Sequence, residues 1–238
     1  MRHRSQLFSS MPKRQARYRN TVAKARTASR GRPASKRSRG GQRNEQLPFS
    51  PPEDWHEPRS KRREGYKILV QAPGEGYRHI LTPEEISARL AQLPSHFLKQ
   101  LEVVQLSRMT RKKQSFPCYG MQWGNALYLY PLEASLIEYF TTPPGPDLVN
   151  ETQMYGGRWV HEAPHTWMLV WSEETIKDYY LNNILIHELG HLLDDRNTSY
   201  LDRERYAEWF AIEYGYRASQ AYQARRQQPQ VTRRHHGS

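Results

Sequence analysis

Two five-residue stretches carry the residue types that metal-assisted chemistry needs, and they share one pattern. His161-Glu-Ala-Pro-His165 and His187-Glu-Leu-Gly-His191 each place two histidines four residues apart, with a glutamate after the first. Two neutral imidazoles can grip one metal ion, and a carboxylate beside them can move a proton. The grip requires a helix, where side chains at i and i+4 share a face about 40° apart. Pro164 sits inside the first stretch. In a helical turn it would remove a donor and clash with the preceding turn, and it biases Ala163 towards extended backbone. With Trp159, Val160 and Trp167–Trp171 around it, HEAPH predicts a strand–turn–strand rather than a metal grip.

HELGH passes the same test. On a helical wheel His187, Glu188 and His191 fall on one side, while Leu185, Ile186, Leu189, Leu192 and Leu193 fall on the other. Gly190 lies beside the histidine face. A glycine inside a helix costs about 1 kcal/mol against alanine, so its presence predicts a close backbone approach. A catalytic zinc takes three protein ligands and keeps a fourth position for water. Asp194 and Asn197 stand where a metzincin continuation needs glycine and histidine, and Cys118 in FPCYG lacks a deformylase-like context. A carboxylate on the next helix remains: Glu204, Glu208 or Glu213. Glu204 and Glu208 share a face. Glu208 sits in YAEWFA, between small and aromatic residues that would let its helix come close, so we take Glu208 as the expected third ligand and keep Glu204 as the alternative. Asp194 is either a residue orienting a ligand imidazole or a helix-end residue paired with Arg196.

HELGHLLDD, TSY and YAEWFA together resemble the gluzincin metallopeptidases, over about residues 184–211. The pattern is similar to the anthrax-lethal-factor-like core and, less closely, to the ImmA/IrrE-type peptidases. The resemblance implies an α+β, zincin-like fold: a mixed twisted sheet against a long HExxH helix, with a C-terminal helix bringing the glutamate. It implies Zn2+ on His187, His191 and Glu208, Glu188 as the base, and Tyr200 as a donor to the transition state. It also implies hydrolysis of peptide bonds in a protein or peptide substrate. Two positions depart from it: Ile212 replaces a glutamate of the lethal-factor-like cores, and Tyr206 a glutamate of the ImmA-like ones.

The elements that must position these residues can be read outward from the motif. Ser172 caps a helix over about 173–195, with Glu173 and Glu174 at its positive end. A second helix runs from about Asp202 to Arg217 after the break DDRNTSY. MYGGRWVHE and TWMLVW predict strands, and an extended substrate is expected to lie along a sheet edge at Tyr155–Glu162. Upstream, YKILVQ and YRHILT predict strands around APGEG. LTPEEISARLAQLP predicts a helix capped by Thr82, and Val103–Leu106 leans towards strand. PCYGMQWGNALYLYP predicts a hairpin at Gly124-Asn125, EASLIEYF a short helix, and TTPPGPDLVNETQ a loop.

Charge divides the 238 residues into an arm, a domain and a tail. Residues 1–43 hold 14 Lys/Arg and no Asp/Glu, whereas the chain beyond residue 63 holds 18 basic and 20 acidic residues. The net charge of +12 therefore belongs to the arm. Residues 1–63, with an arm rich in Arg, Ser, Gly and Ala and then the Pro-broken stretch LPFSPPEDWHEP, are expected to be a disordered basic arm and linker, 64–226 the domain, and 227–238 a flexible tail. The arm reads as a solvated tail, as a contact for nucleic acid or an acidic surface over 1–43, or as an organelle-targeting peptide. The competing function is thus a non-enzymatic nucleic-acid-associated or assembly protein acting through that arm. No apolar run approaches the ~18 residues of a membrane span. With one cysteine and no secretory apolar core, the expected setting is reducing and cytoplasmic.

Overall fold

The computed structural model describes His56 and residues 65–110, 113–114 and 118–221. Apart from His56, the arm and linker over 1–63 lie outside the described residues, as does the tail over 227–238. In chain order the elements are β1 (Lys67–Val70), β2 (Tyr77–Arg78), α1 (Pro83–Leu90), β3 (Val103–Leu106), β4 (Gly120–Trp123), β5 (Ala126–Leu129), β6 (Leu132–Glu133) and β7 (Ile137–Phe140). They continue with α2 (Pro146–Met154), β8 (Arg158–Ala163), β9 (Thr166–Val170), α3 (Glu173–Tyr179), α4 (Leu185–Leu193) and α5 (Tyr200–Phe210). A π-helical turn, Tyr180–Ile184, joins α3 to α4, and another, Ala211–Arg217, prolongs α5. The class is α+β.

The main sheet is mixed, in the order β1-β3-β5-β4. Its first three strands run parallel, and β4 forms an antiparallel edge. Strand alternation sorts its residues. Val104, Leu106, Leu127 and Leu129 join the core that Leu185, Ile186, Leu189 and Leu192 of α4 complete, while Val103, Ala126 and Tyr128 pack on the other face. Each such aliphatic side chain, fully buried, contributes roughly 1.5–3 kcal/mol. β4 and β5 are the parts of the sheet that pack on α4. The other described strands form a three-stranded sheet, β7-β9-β8, and a two-stranded one, β2-β6.

Local chemistry accounts for several of these elements. Thr82 and Glu85 form a reciprocal capping box at α1, and Pro83 occupies the first turn. Ser172 caps α3, and α3, the π-turn and α4 make one continuous helix over 173–193. Gly124 supplies the positive φ for the β4–β5 hairpin.

Two expectations fail. EASLIEYF is not helical: Leu136 takes a left-handed φ of 57°, and Ile137–Phe140 pairs antiparallel with β9. TTPPGPDLVNETQ is not all loop, because Pro146–Met154 is helical, with Pro146 in the first turn and Asp147 at the positive end. The last helix also starts two residues earlier than expected, at Tyr200, because Ser199 caps it by accepting from the Asp202 amide. Among the described residues no helix is long and apolar enough to cross a membrane.

Candidate metal centre

His187 and His191 stand one turn apart on α4, their ring centroids 4.7 Å apart. The carboxylate that meets them is Glu204, on the second turn of α5. His191 Nε2 lies 3.3 Å from Glu204 Oε1, and His187 Nε2 lies 3.6 Å from Glu204 Oε2. The three ligand atoms fall within 4.8 Å of one another. Ligands about 2.1 Å from a tetrahedral ion stand roughly 3.4 Å from each other, so these atoms outline one face of such a polyhedron. Two imidazoles and one carboxylate are also a donor set suited to a divalent metal. By geometry and chemistry the three residues could hold a metal ion.

Glu208, the expected third ligand, is not in this cluster. It is exposed one turn further along α5. The reason lies in how the helices cross. Gly190 is the point of closest approach: a Cβ there would stand 3.1 Å from Ala207 Cα and 3.1 Å from Phe210 Cβ. Ala207 therefore faces α4. Glu204 and Glu208 lie about 60° and about 100° from that contact on the same side, so what separates them is chiefly position along the axis: Glu208 stands about 6 Å beyond the carboxylate that meets the histidines. Ser199 caps α5, so its first turn begins at Tyr200. Tyr200 itself is half-buried at that first turn, four residues before Glu204 and on the same face.

The electrostatics match a cation site. Burial opposes charge on His187. The Glu204 carboxylate bonded to it, and the charges of Glu188 and Glu151, outweigh burial and raise its pKa above the usual imidazole value. Burial pushes Glu204 upward too, but its bonds to His187 and His191 and their charges hold it well below the carboxylate range. A metal replaces the protons that these bonds otherwise need.

Glu188 is 8% exposed and packs against the first residue of β4 in the main sheet. A Cβ on Gly120 would stand 2.9 Å from Glu188 Cγ and 3.0 Å from its Oε1. The first residue of edge strand β4 thus lies directly against the carboxylate. The sheet edge beside the histidine helix is therefore Gly120–Trp123. The expected edge at Tyr155–Glu162 falls partly on β8, at the border of the other, three-stranded sheet.

Around the ligands, Asp194 ends α4. Its Oδ1 accepts from the Asn197 amide nitrogen and side chain, so it closes the turn and is not an Arg196 partner. Its Oδ2 and His191 Nδ1 are both buried without a hydrogen bond. Arg203 donates to the His191 carbonyl at 3.0 Å. Glu151, which the sequence did not single out, accepts from Asn183 Nδ2 at 2.6 Å and Tyr179 Oη at 3.1 Å, one and two turns before His187.

HEAPH lies elsewhere in the fold. It spans the exposed tip of the β8–β9 hairpin, where His161 stacks on Trp167 and His165 takes a left-handed φ of 64°. Among the described residues the one group of three or more ligand side chains within metal-binding reach is His187, His191 and Glu204. Cys118 does not join it and contacts Lys113 instead. No known family model, curated protein or solved structure matches the chain.

Proposed function

We propose that this chain is a zinc-dependent endopeptidase of gluzincin type on a zincin-like fold, with His187, His191 and Glu204 as the ligands. The observation that carries the proposal is the convergence of those three side chains, with Glu188 following the first histidine on its helix and its charge acting on that imidazole. A divalent ion bound there would supply Lewis acidity, polarising a scissile carbonyl and bringing the pKa of a water near 7. Glu188 would then accept a proton from the attacking water and return it to the leaving amine. Burial and the adjacent β4 backbone hold the carboxylate in place for both transfers. The outer edge of β4 offers backbone groups to an extended peptide, which binds by strand addition and lays its amide along the histidine helix. Tyr200, on the Glu204 face of α5, is the proposed donor to the developing oxyanion. A reducing, cytoplasmic setting belongs to the same proposal and rests on the single cysteine.

The test is a peptide-mixture digest read by mass spectrometry, using zinc-loaded wild type and Glu188→Gln. Cleavage by the wild type alone supports the reading. Identical cleavage by both, or cleavage insensitive to chelation, contradicts it. The second reading, nucleic-acid association through residues 1–43, is favoured by their 14 Lys/Arg without a single acid. It predicts salt-sensitive RNA or DNA binding that disappears when those residues are deleted.

A further inference from the structure

The metal cluster joins two helices, so its geometry depends on how they sit against each other. Steric contact at Gly190 brings α5 close. At the far end the two π-turns meet: a Cβ on Gly215 would collide with the Asn182 carbonyl oxygen. Such contacts limit separation but do not fix slide or rotation. A polar device does. Arg89 reaches from α1 to this second crossing, donating from Nε to Asn182 Oδ1 at 2.6 Å and from Nη2 to the Tyr214 carbonyl at 2.5 Å. One acceptor lies on each ligand-bearing helix. Asn182 is itself held, its Nδ2 on Asp178 Oδ1 at 2.6 Å and its carbonyl on Tyr155 Oη at 3.1 Å.

Arg89 is 7% exposed, and among the described residues its guanidinium has no carboxylate within ion-pair distance; the charge of Asp178 acts on it from further off, and Asn182 bridges the two by hydrogen bonds. As a contribution to folding alone this is a poor arrangement. A buried charge is costly to desolvate, and an apolar side chain of similar volume is often no worse. The best-attested use of such a group is to fix register between packed helices. A π-turn inserts an extra residue and is frequently found at functional sites. Asn182 stands about 7.5 Å along the helix axis from His187. A slide of one residue, about 1.5 Å, would part the carboxylate from the imidazoles.

We infer that Arg89 is a positioning residue: by clamping Asn182 and Tyr214 across the two π-turns it sets the register that brings Glu204 to His187 and His191. The inference rests on the metal reading above.

The test is zinc affinity of the full chain, by competition with a chromophoric chelator at a temperature where each apo-protein is folded. The variants are Arg89→Met, Arg89→Lys and, as a control for lost stability, Leu90→Ala in the core side of the same helix. Arg89→Met is expected to weaken zinc binding about 10–100-fold, the range seen when support of a metal ligand is lost. Arg89→Lys keeps the charge without the fork, so it falls between Met and wild type and serves where Met does not fold. Leu90→Ala lowers the melting temperature and leaves zinc affinity within about twofold. Unchanged affinity in the folded Arg89 variants overturns the inference alone, as does an equal loss in Leu90→Ala. Absence of zinc binding by the wild type overturns the metal reading, and the inference with it.

Discussion

HEAPH and HELGH use the same three chemical groups at the same spacing, in segments 26 residues apart. In the first, Pro164 and a left-handed His165 turn the chain back on itself. Its histidines end up exposed on a hairpin, one of them stacked on Trp167. In the second, nine helical residues carry a buried leucine stripe on one face, and His191 and Glu188 are 6% and 8% exposed on the other. The difference lies in what surrounds the letters. A ligand pair becomes a site when its backbone fixes both side chains on one face and a second element brings a third ligand to them. HELGH has α5 and β4 against it. HEAPH has β9 and solvent.

Substitutions that treat the two motifs alike make the contrast measurable. The largest effect is expected at the glutamates. Glu188→Gln should lower peptide cleavage by about 10³-fold while zinc content holds, since a general base contributes roughly 10²–10⁴-fold; Glu162→Gln should change nothing. A comparable loss in both would end the distinction. Next come the second histidines. His191→Ala should weaken zinc binding by two orders of magnitude or more, roughly the worth of a directly bonded ligand, whereas zinc titration of His165→Ala should match wild type. Zinc retained by His191→Ala would move the centre elsewhere.

Two glycines sharpen the account of what positions HELGH. At Gly215 an alanine must displace the Asn182 backbone. Overpacking of that kind costs about 1–3 kcal/mol or more, so calorimetry should show Gly215→Ala melting several degrees lower. A variant as stable as wild type would mean the two π-turns are not rigidly packed. At Gly120 the added methyl meets Ile184 Cγ2 at 2.8 Å and the Glu188 side chain. Gly120→Ala should therefore lower kcat/KM about tenfold with zinc content intact. Full activity would show that the base does not need the close β4 backbone.

Where the sequence was legible, a local rule and the tertiary environment agreed. Thr82-Pro83-Glu84-Glu85 encodes its capping box outright. Pro164 excluded helix from HEAPH before any fold was known, and Gly190 announced the crossing with α5 that Ala207 completes. Failures came where one rule was allowed to override another. The prolines of TTPPGPD suggest loop throughout, yet Gly145 and Pro146 are the punctuation that starts a helix. Ile137–Phe140 has apolar residues that suit either period, and only pairing with β9 decides for strand. The setting of YAEWFA favours Glu208 from the apolar company it keeps, but Glu204 shares that face, and only the packing of α5 on α4 at Gly190 decides which turn meets the histidines. The Asn183–Glu151 and Arg89–Asn182 bonds link residues 32 and 93 positions apart and had no local signal at all.

The most direct measurement is zinc per chain, by elemental analysis after metal loading and dialysis, on wild type, Glu204→Ala and Glu208→Ala. Close to one zinc is expected in the wild type and in Glu208→Ala, with clear loss in Glu204→Ala. One zinc in all three would remove Glu204 from the centre, and none in any of them would contradict the metal site itself.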